Sequence, residues 1–320
     1  MRPATTRTIQ TNGIRMALAE QGDGPAVVLC HGFPELGYSW RHQLPALAEA
    51  GYRALAPDQR GYGATERPPA VADYDIHHLT GDLVGLLDAC GVERAVFVGH
   101  DWGGVVTWMM PLLHPARTAG IVGVNTPYFP RSSAPPIAIF RAVFGENHYV
   151  VHFQTPGDAD DRLARDVRRV FTQLMRSGVP VEAAMRAGIK RDGTMRNLVE
   201  AIEGDEPPGR LLLTEEELSV YVRAFERTGF TGGINWYRNL DRNWETTPHL
   251  AEARITVPSL MIAAELDPVL RPEMAEPMRA LVPDLELTTI AGCGHWTPHE
   301  KPGELNAIML DWLRRRFPPG

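Results

Sequence analysis

Residues 96–106 read VFVGHDWGGVV. The strand-forming run Val96, Phe97, Val98 meets Gly99, and Asp101 then stands between His100 and Trp102, with Gly103 and Gly104 behind it. A buried strand that breaks at glycine and resumes at once as a helix is the setting of the nucleophile elbow, whose G-x-S-x-G frame presents a serine. Here Gly99-His100-Asp101-Trp102-Gly103 keeps the frame and puts a carboxylate where the serine stands. Taken alone, an aspartate after a strand reads as a helix N-cap. The glycines on both sides and the residues downstream favour a nucleophile.

Working outward, short apolar runs recur at 26–30 (AVVLC), 52–58 (YRALAPD), 95–100 (AVFVGH), 121–125 (IVGVN), 259–264 (SLMIAA) and 285–290 (LELTTI). Runs of this length suit strands buried on both faces. Helical patterns lie between them, such as Leu79, Leu83, Leu86 and Leu87 closed by Gly91, and the C-terminal ELNAIMLDWLRRRF. Alternating strands and helices predict an α/β protein with a mainly parallel, doubly wound sheet. The alternation stops between residues 128 and 245. Four prolines (127, 130, 135, 136) open that stretch and helices follow, the clearest being 214–228, where Thr214 and Glu217 make a capping box and Leu218, Tyr221, Val222 and Phe225 one apolar stripe. The expected organisation is a core of 1–127 and 246–320 with a helical lid, 128–245, inserted in it. Pro111 falls inside the helix expected after the elbow and should kink it or end it early.

Composition narrows the function classes. The 320 residues are 44% hydrophobic and 22% charged, ordinary for a globular chain, and the net charge of −7 argues against a nucleic-acid partner. No run approaches the roughly 20 apolar residues of a membrane span, and the N-terminal MRPATTRTIQTNG lacks a signal-peptide apolar segment, so a cytoplasmic location is expected. Three scattered cysteines, Cys30, Cys90 and Cys293, read as buried thiols rather than a disulfide or zinc framework.

Ligand sites of open parallel sheets lie beyond the carboxyl ends of the strands. There the chain carries HGFPE (31–35), Asp101, Glu265-Leu266-Asp267 and AGCGHW with His295. Nucleophile, acid and histidine occur in the chain order of the α/β-hydrolases. A carboxylate is ionised at neutral pH without help from a base and attacks an sp3 carbon directly. The product is an enzyme ester. His295 would draw a proton from water to hydrolyse it, with Asp267 orienting the imidazole. The N–H groups of Phe33 and Trp102 are the expected oxyanion donors, each typically worth roughly 100- to 1,000-fold in rate. Glu265 is a rival acid, and the loop position before Pro268 favours Asp267. His295 and His299 stand four apart, but Pro298 between them and the lack of a third ligand argue against a metal pair. His31 and His100 read as packed loop histidines, and Arg60 as a brace between loops.

Nearly the whole chain resembles the α/β-hydrolase-fold epoxide hydrolases, specifically the soluble epoxide hydrolase branch. The resemblance rests on HGFPE, DQRGYGATERP (58–68), GHDWGG, FQTPG (153–157), TGGINWYRN (231–239), AELDPVL and GCGHWTPHEKP. It implies hydrolysis of an epoxide to a vicinal diol, and a pair of lid tyrosines that hold the epoxide oxygen. These match Tyr237, in NWYRN, and Tyr149, shortly before FQTPG. A phenol of pKa about 10 donates to the alkoxide released by ring opening without being ionised beforehand. Phe33, Trp102, Phe153 and Trp236 are expected to wall an apolar pocket for a small apolar epoxide. No cofactor is implied, because side chains and backbone supply every group.

The nearest rival is a haloalkane dehalogenase using the same nucleophile. Such an enzyme cradles halide with side-chain N–H donors, and Phe33 offers none at the loop position that commonly supplies one. An esterase would keep the serine. A non-catalytic binding protein on this scaffold would be expected to lack a member of the Asp101, Asp267, His295 set. Oligomeric state stays open, with a homodimer through an apolar outer lid face the arrangement to look for.

Overall fold

The computed structural model describes residues 4–188 and 196–320. One sheet contains β1 (Thr5–Thr11), β2 (Ile14–Gln21), β3 (Ala26–Cys30), β4 (Arg53–Pro57), β5 (Ala95–His100), β6 (Thr118–Val124), β7 (Ser259–Ala264) and β8 (Leu285–Ile290), in the spatial order β1-β2-β4-β3-β5-β6-β7-β8. Neighbours from β4 to β8 are all parallel, and β1 and β2 add two antiparallel pairings at the edge. This N-terminal hairpin goes beyond the apolar runs read from the sequence. Its outer strand, TTRTIQT, is largely exposed rather than continuously apolar, and the hairpin turns at Asn12-Gly13, both at positive φ (41° and 79°). At the opposite edge β8 is mostly half-buried rather than buried on both faces, because only β7 flanks it.

The sheet is covered on both sides. Leu44 and Leu47 of α1 (Gln43–Glu49) join Val27, Val98 and the C-terminal-helix residues Leu305, Met309 and Trp312 in one core. Leu83 and Leu86 of α2 (Ile76–Ala89) and Val106 of α3 (Trp102–Leu113) fill the other face against Val28 and Phe97. Gly91 closes the turn after α2 at φ 64°, and α3 ends two residues after Pro111, whose ring nitrogen has no hydrogen to give.

Between β6 and β7 the chain runs through α4 (Pro136–Phe144), α5 (Tyr149–His152), α6 (Asp158–Ala164), α7 (Val167–Leu174), α8 (Val181–Ala187), α9 (Leu198–Glu203), α10 (Glu215–Thr228), α11 (Thr231–Arg238) and α12 (Leu240–Thr246). Among the described residues this stretch adds one isolated β-bridge, Arg176 to Leu211. At the start of α10 the Thr214 amide donates to Glu217 Oε2 at 2.8 Å and the Glu217 amide to Thr214 Oγ1 at 3.3 Å, which makes the capping box. Leu218, Tyr221, Ala224 and Phe225 face inward from it, and Val222 is only half-buried. After β8 come α13 (Thr297–Glu300) and α14 (Pro302–Arg316). Cys30 and Cys293 are buried, whereas Cys90 is half-buried beside the Arg7 guanidinium at 3.1 Å. No helix among the described residues is long and apolar enough to cross a membrane.

This topology fixes where a site opens. From β3 the chain moves to β4 on one side, while β5 lies on the other. The carboxyl ends of β3 and β5 therefore flank the point where strand order reverses, the crevice in which open α/β sheets bind ligands.

Candidate active site

Asp101 follows β5 with φ 51° and ψ −124°, a conformation rare for a residue with a side chain. The turn is held from both sides. A Cβ on Gly103 would stand 2.0 Å from the Cys30 carbonyl oxygen, and one on Gly32 would stand 2.3 Å from Asp101 Oδ1, so neither position admits a side chain. Thr126 Oγ1 donates to the Asp101 carbonyl at 2.9 Å. Although Asp101 occupies the N-cap position of α3, its carboxylate caps nothing there; Oδ1 instead accepts the Phe33 amide at 2.7 Å. The Trp102 amide opens α3, in the first turn, where amides have no carbonyl partner within the helix. Of the two N–H groups expected as oxyanion donors, that of Phe33 thus already meets the Asp101 carboxylate.

His295 faces this group, with Nε2 at 3.6 Å from Asp101 Oδ2. Its Nδ1 donates to Asp267 Oδ2 at 2.8 Å. Asp267 is fully buried and also accepts the Val269 and Leu270 amides at 2.9 and 3.0 Å and Asn125 Nδ2 at 2.8 Å. Burial pushes its carboxyl upward, but the facing His295 and the bonds from Leu270 and Asn125 outweigh that and hold it well below the usual carboxylate range. For His295 burial disfavours the charged form, and the two carboxylates, Asp267 foremost, overcome it and raise the imidazole well above its ordinary value. The rival acid Glu265 is exposed and accepts the Gly292 amide at 2.7 Å. His299 points away from His295, to Glu35 Oε1 at 3.3 Å and Arg41 at 3.0 Å.

A cavity of about 380 Å³ opens from Asp101, and Trp102, Tyr149 and Tyr237 line it with Val105, Met109 and Leu240. The Tyr237 ring is clamped edge-on by Phe33, Trp102, Tyr149 and Phe153, with centroids 5.5, 5.0, 5.7 and 5.1 Å away. Burial, then the Asp101 charge, pushes both phenols above their ordinary value, so each keeps its proton at neutral pH. Of the residues expected to wall the pocket, Trp102 lines this cavity, while Phe33, Phe153 and Trp236 are not on its wall. Phe33 and Phe153 pack behind Tyr237. Trp236 turns to the core, donates from its indole to the Arg60 carbonyl at 3.1 Å and meets Tyr62 edge-on at 5.5 Å. Consecutive residues of α11 diverge by about 100°, so Trp236 and Tyr237 cannot face the same space.

Residues 25–177 and 194–302 match the family model of the alpha/beta hydrolase fold. Epoxide hydrolase A of Mycobacterium tuberculosis is 50% identical over 97% of each chain. This chain belongs to the α/β-hydrolase-fold epoxide hydrolases. The epoxide hydrolase family also includes the Bifunctional epoxide hydrolase 2 of Mus musculus, 41% identical over 94% of this chain and 54% of that protein. The fold of this chain is shared with the crystal structure of Epoxide Hydrolase A from Mycobacterium thermoresistibile, at 44% identity, TM-score 0.88 and 98% coverage of both chains.

Three supports of this epoxide hydrolase site escape a reading of the sequence. Asn125, at φ 61° directly after β6, grips Asp267; the strand-end rule that finds Asp101 would have found it too. Gln154 Nε2 donates to the Val150 and Tyr237 carbonyls at 2.8 and 3.1 Å, tying together the two helices that carry the tyrosines. Fully buried Glu35 accepts from Gly32 N–H at 2.9 Å and contacts His100 Nδ1 at 2.8 Å. The other nitrogen of His100 meets the His295 carbonyl at 2.7 Å, so the packed loop histidine props the loop of His295. Arg60 chelates buried Asp82 at 2.7 and 2.6 Å, bracing the loop after β4 against α2.

Proposed function

We propose that the chain hydrolyses an epoxide to a vicinal diol through an ester on Asp101. The observation that carries this is a carboxylate, rather than a serine, at the elbow, sharing one apolar cavity with two protonated phenols. Asp101 attacks a ring carbon, the carbon–oxygen bond breaks, and Tyr149 or Tyr237 gives its proton to the departing oxygen. Esterification removes the Asp101 charge, one of two that favour the His295 imidazolium. His295 then yields its proton, with the tyrosinate as the final acceptor, and becomes a base. It takes a proton from water, hydroxide adds to the ester carbon, and the Phe33 and Trp102 amides receive the oxyanion. Collapse of that adduct breaks the ester bond, the departing alkoxide takes the proton held by His295 to complete the diol, and the carboxylic acid left at Asp101 returns a proton to His295, which restores the carboxylate. Residues 128–245 act as the lid that supplies the tyrosines and keeps water from the first step.

The mostly apolar lining supports an apolar substrate body. Intact-protein mass spectrometry of His295→Gln after incubation with styrene oxide tests the reading. The expected result is one added substrate mass that maps to Asp101 and is absent from the Asp101→Ala, His295→Gln double variant. Diol formation without any adduct would overturn it.

A further inference from the structure

The two phenols reach the cavity from different segments, and both segments are short. Tyr149 opens α5, which has four residues, and Tyr237 stands near the end of α11, which has eight. A single helical turn does not support itself, because nucleation fixes several backbone dihedrals for one hydrogen bond. Side chains hold α5 at both ends. His148 Nδ1 accepts the Val150 amide at 3.4 Å, and from the other end Gln154 Nε2 donates to the Val150 carbonyl at 2.8 Å. The same Nε2 also donates to the carbonyl of Tyr237 itself, at 3.1 Å. One side-chain amide thus joins the backbone of Tyr237 to that of the residue after Tyr149. Around this joint Tyr149 and Phe153 meet the Tyr237 ring edge-on, at 5.7 and 5.1 Å, and Arg238 donates to the Phe153 carbonyl at 2.9 Å. Edge-on rings tolerate a range of offsets, whereas a hydrogen bond weakens steeply with angle. Only a group with two N–H bonds can serve both carbonyls; a carboxylate or thioether of similar length can serve neither.

We infer that Gln154 is a positioning residue for ring opening: its amide fixes the separation of the Tyr149 and Tyr237 hydroxyls, so that both reach one epoxide oxygen. This rests on the mechanism proposed above, in which the phenols serve the departing oxygen while His295 and the Phe33 and Trp102 amides serve the ester. Misplacing a catalytic group by about 1 Å typically costs on the order of 100-fold, and with two donors sharing the load the expected loss is about 10-fold in the ring-opening rate.

The test isolates that step by trapping the ester. With enzyme in excess over styrene oxide, the rate of adduct formation followed by mass spectrometry should be about 10-fold slower in Gln154→Met, His295→Gln than in His295→Gln alone. Gln154→Asn, whose amide is one methylene short, keeps the polar group at the joint and should fall between the two. An unchanged rate overturns the inference. With one phenol removed there is no pair to keep in register, so adding Gln154→Met to Tyr149→Phe or to Tyr237→Phe should cost less than about threefold. An undiminished 10-fold loss in both backgrounds also overturns it, because Gln154 would then support only the fold of the inserted helices. NMR spectra with carbon-13 at the tyrosine ζ carbons read the same placement without turnover: the Tyr149 and Tyr237 signals should move in Gln154→Met while the other tyrosines stay, and unmoved signals count against the inference. Diol formation without adduct in His295→Gln would sink the ester mechanism alone. The same comparison, run on kcat/KM for the diol, would still decide the role of Gln154.

Discussion

At the scale of single residues, the proposed mechanism turns on one charge. His295 sits between Asp267 and Asp101, and its imidazolium is favoured by both. Asp101→Asn mimics the neutral ester, and the His295 titration followed by NMR should move to lower pH in that variant. An unmoved titration would show that Asp101 does not set the basicity of His295. The same raised value links to stability. Because the folded state binds the proton more tightly, the contribution of His295 is complete below its unfolded value of about 6.5 and is lost as pH climbs through the folded value. Denaturant midpoints of His295→Gln should accordingly fall furthest behind the parent in mild acid and approach it in alkali. The proposed mechanism gives the two phenols one shared task. Tyr149→Phe and Tyr237→Phe should each retain residual activity on styrene oxide, while the double variant loses the general-acid contribution of about 100- to 10,000-fold. Full activity in the double variant would remove both from the reaction.

Among elements, the tyrosines are placed by helices that are themselves pinned. Arg238 ends α11 and reaches Asp160 of α6 through two contacts, the closer at 2.5 Å, and the Phe153 carbonyl at 2.9 Å. Both partners of this pair are buried, with side chains 6% and 7% exposed. Arg238→Met strands the Asp160 carboxylate, and breaking a buried pair typically costs about 3–5 kcal/mol. The expected outcome in thermal denaturation is a markedly lower Tm, together with activity lost at temperatures where the core still holds its circular dichroism. A Tm within a degree of the parent would show that packing alone sets α11. Packing at the elbow is less forgiving, since the carbonyl facing Gly103 belongs to the backbone of β3 and cannot swing aside.

In the whole molecule, the inserted helices and the sheet share one apolar core, which contains Val28 and Phe97 as well as Phe171, Tyr221 and Phe225. Phe225 of α10 packs on Phe230 at 4.8 Å, on Phe171 at 5.1 Å and across to Tyr62 of the loop after β4 at 6.3 Å. A polar chain crosses the same boundary, from Glu217 through Arg41 and His299 to Glu35. Calorimetry should therefore record a single unfolding transition, and Phe225→Ala should shift that one peak by the about 3–5 kcal/mol of a buried Phe truncation rather than split it. Two separated peaks would show that the lid unfolds independently. The strands and the order Asp101, Asp267, His295 were legible in the chain because each of these groups lies in the short loop after an apolar run, and that relation is local. Continuous apolarity could not reveal β1 and β2, whose hairpin is partly exposed, nor tell the half-buried edge strand β8 from its buried neighbours. The sequence by itself determined the sheet class, the carboxylate at the elbow and the chain order of the groups that serve it. Only the tertiary structure decided that Asn125 grips Asp267, that Trp236 turns inward while Tyr237 faces the cavity, and that Arg131 shares that cavity with Asp101. Those outcomes depend on side-chain direction and on contacts between residues far apart in the chain, which no local pattern encodes.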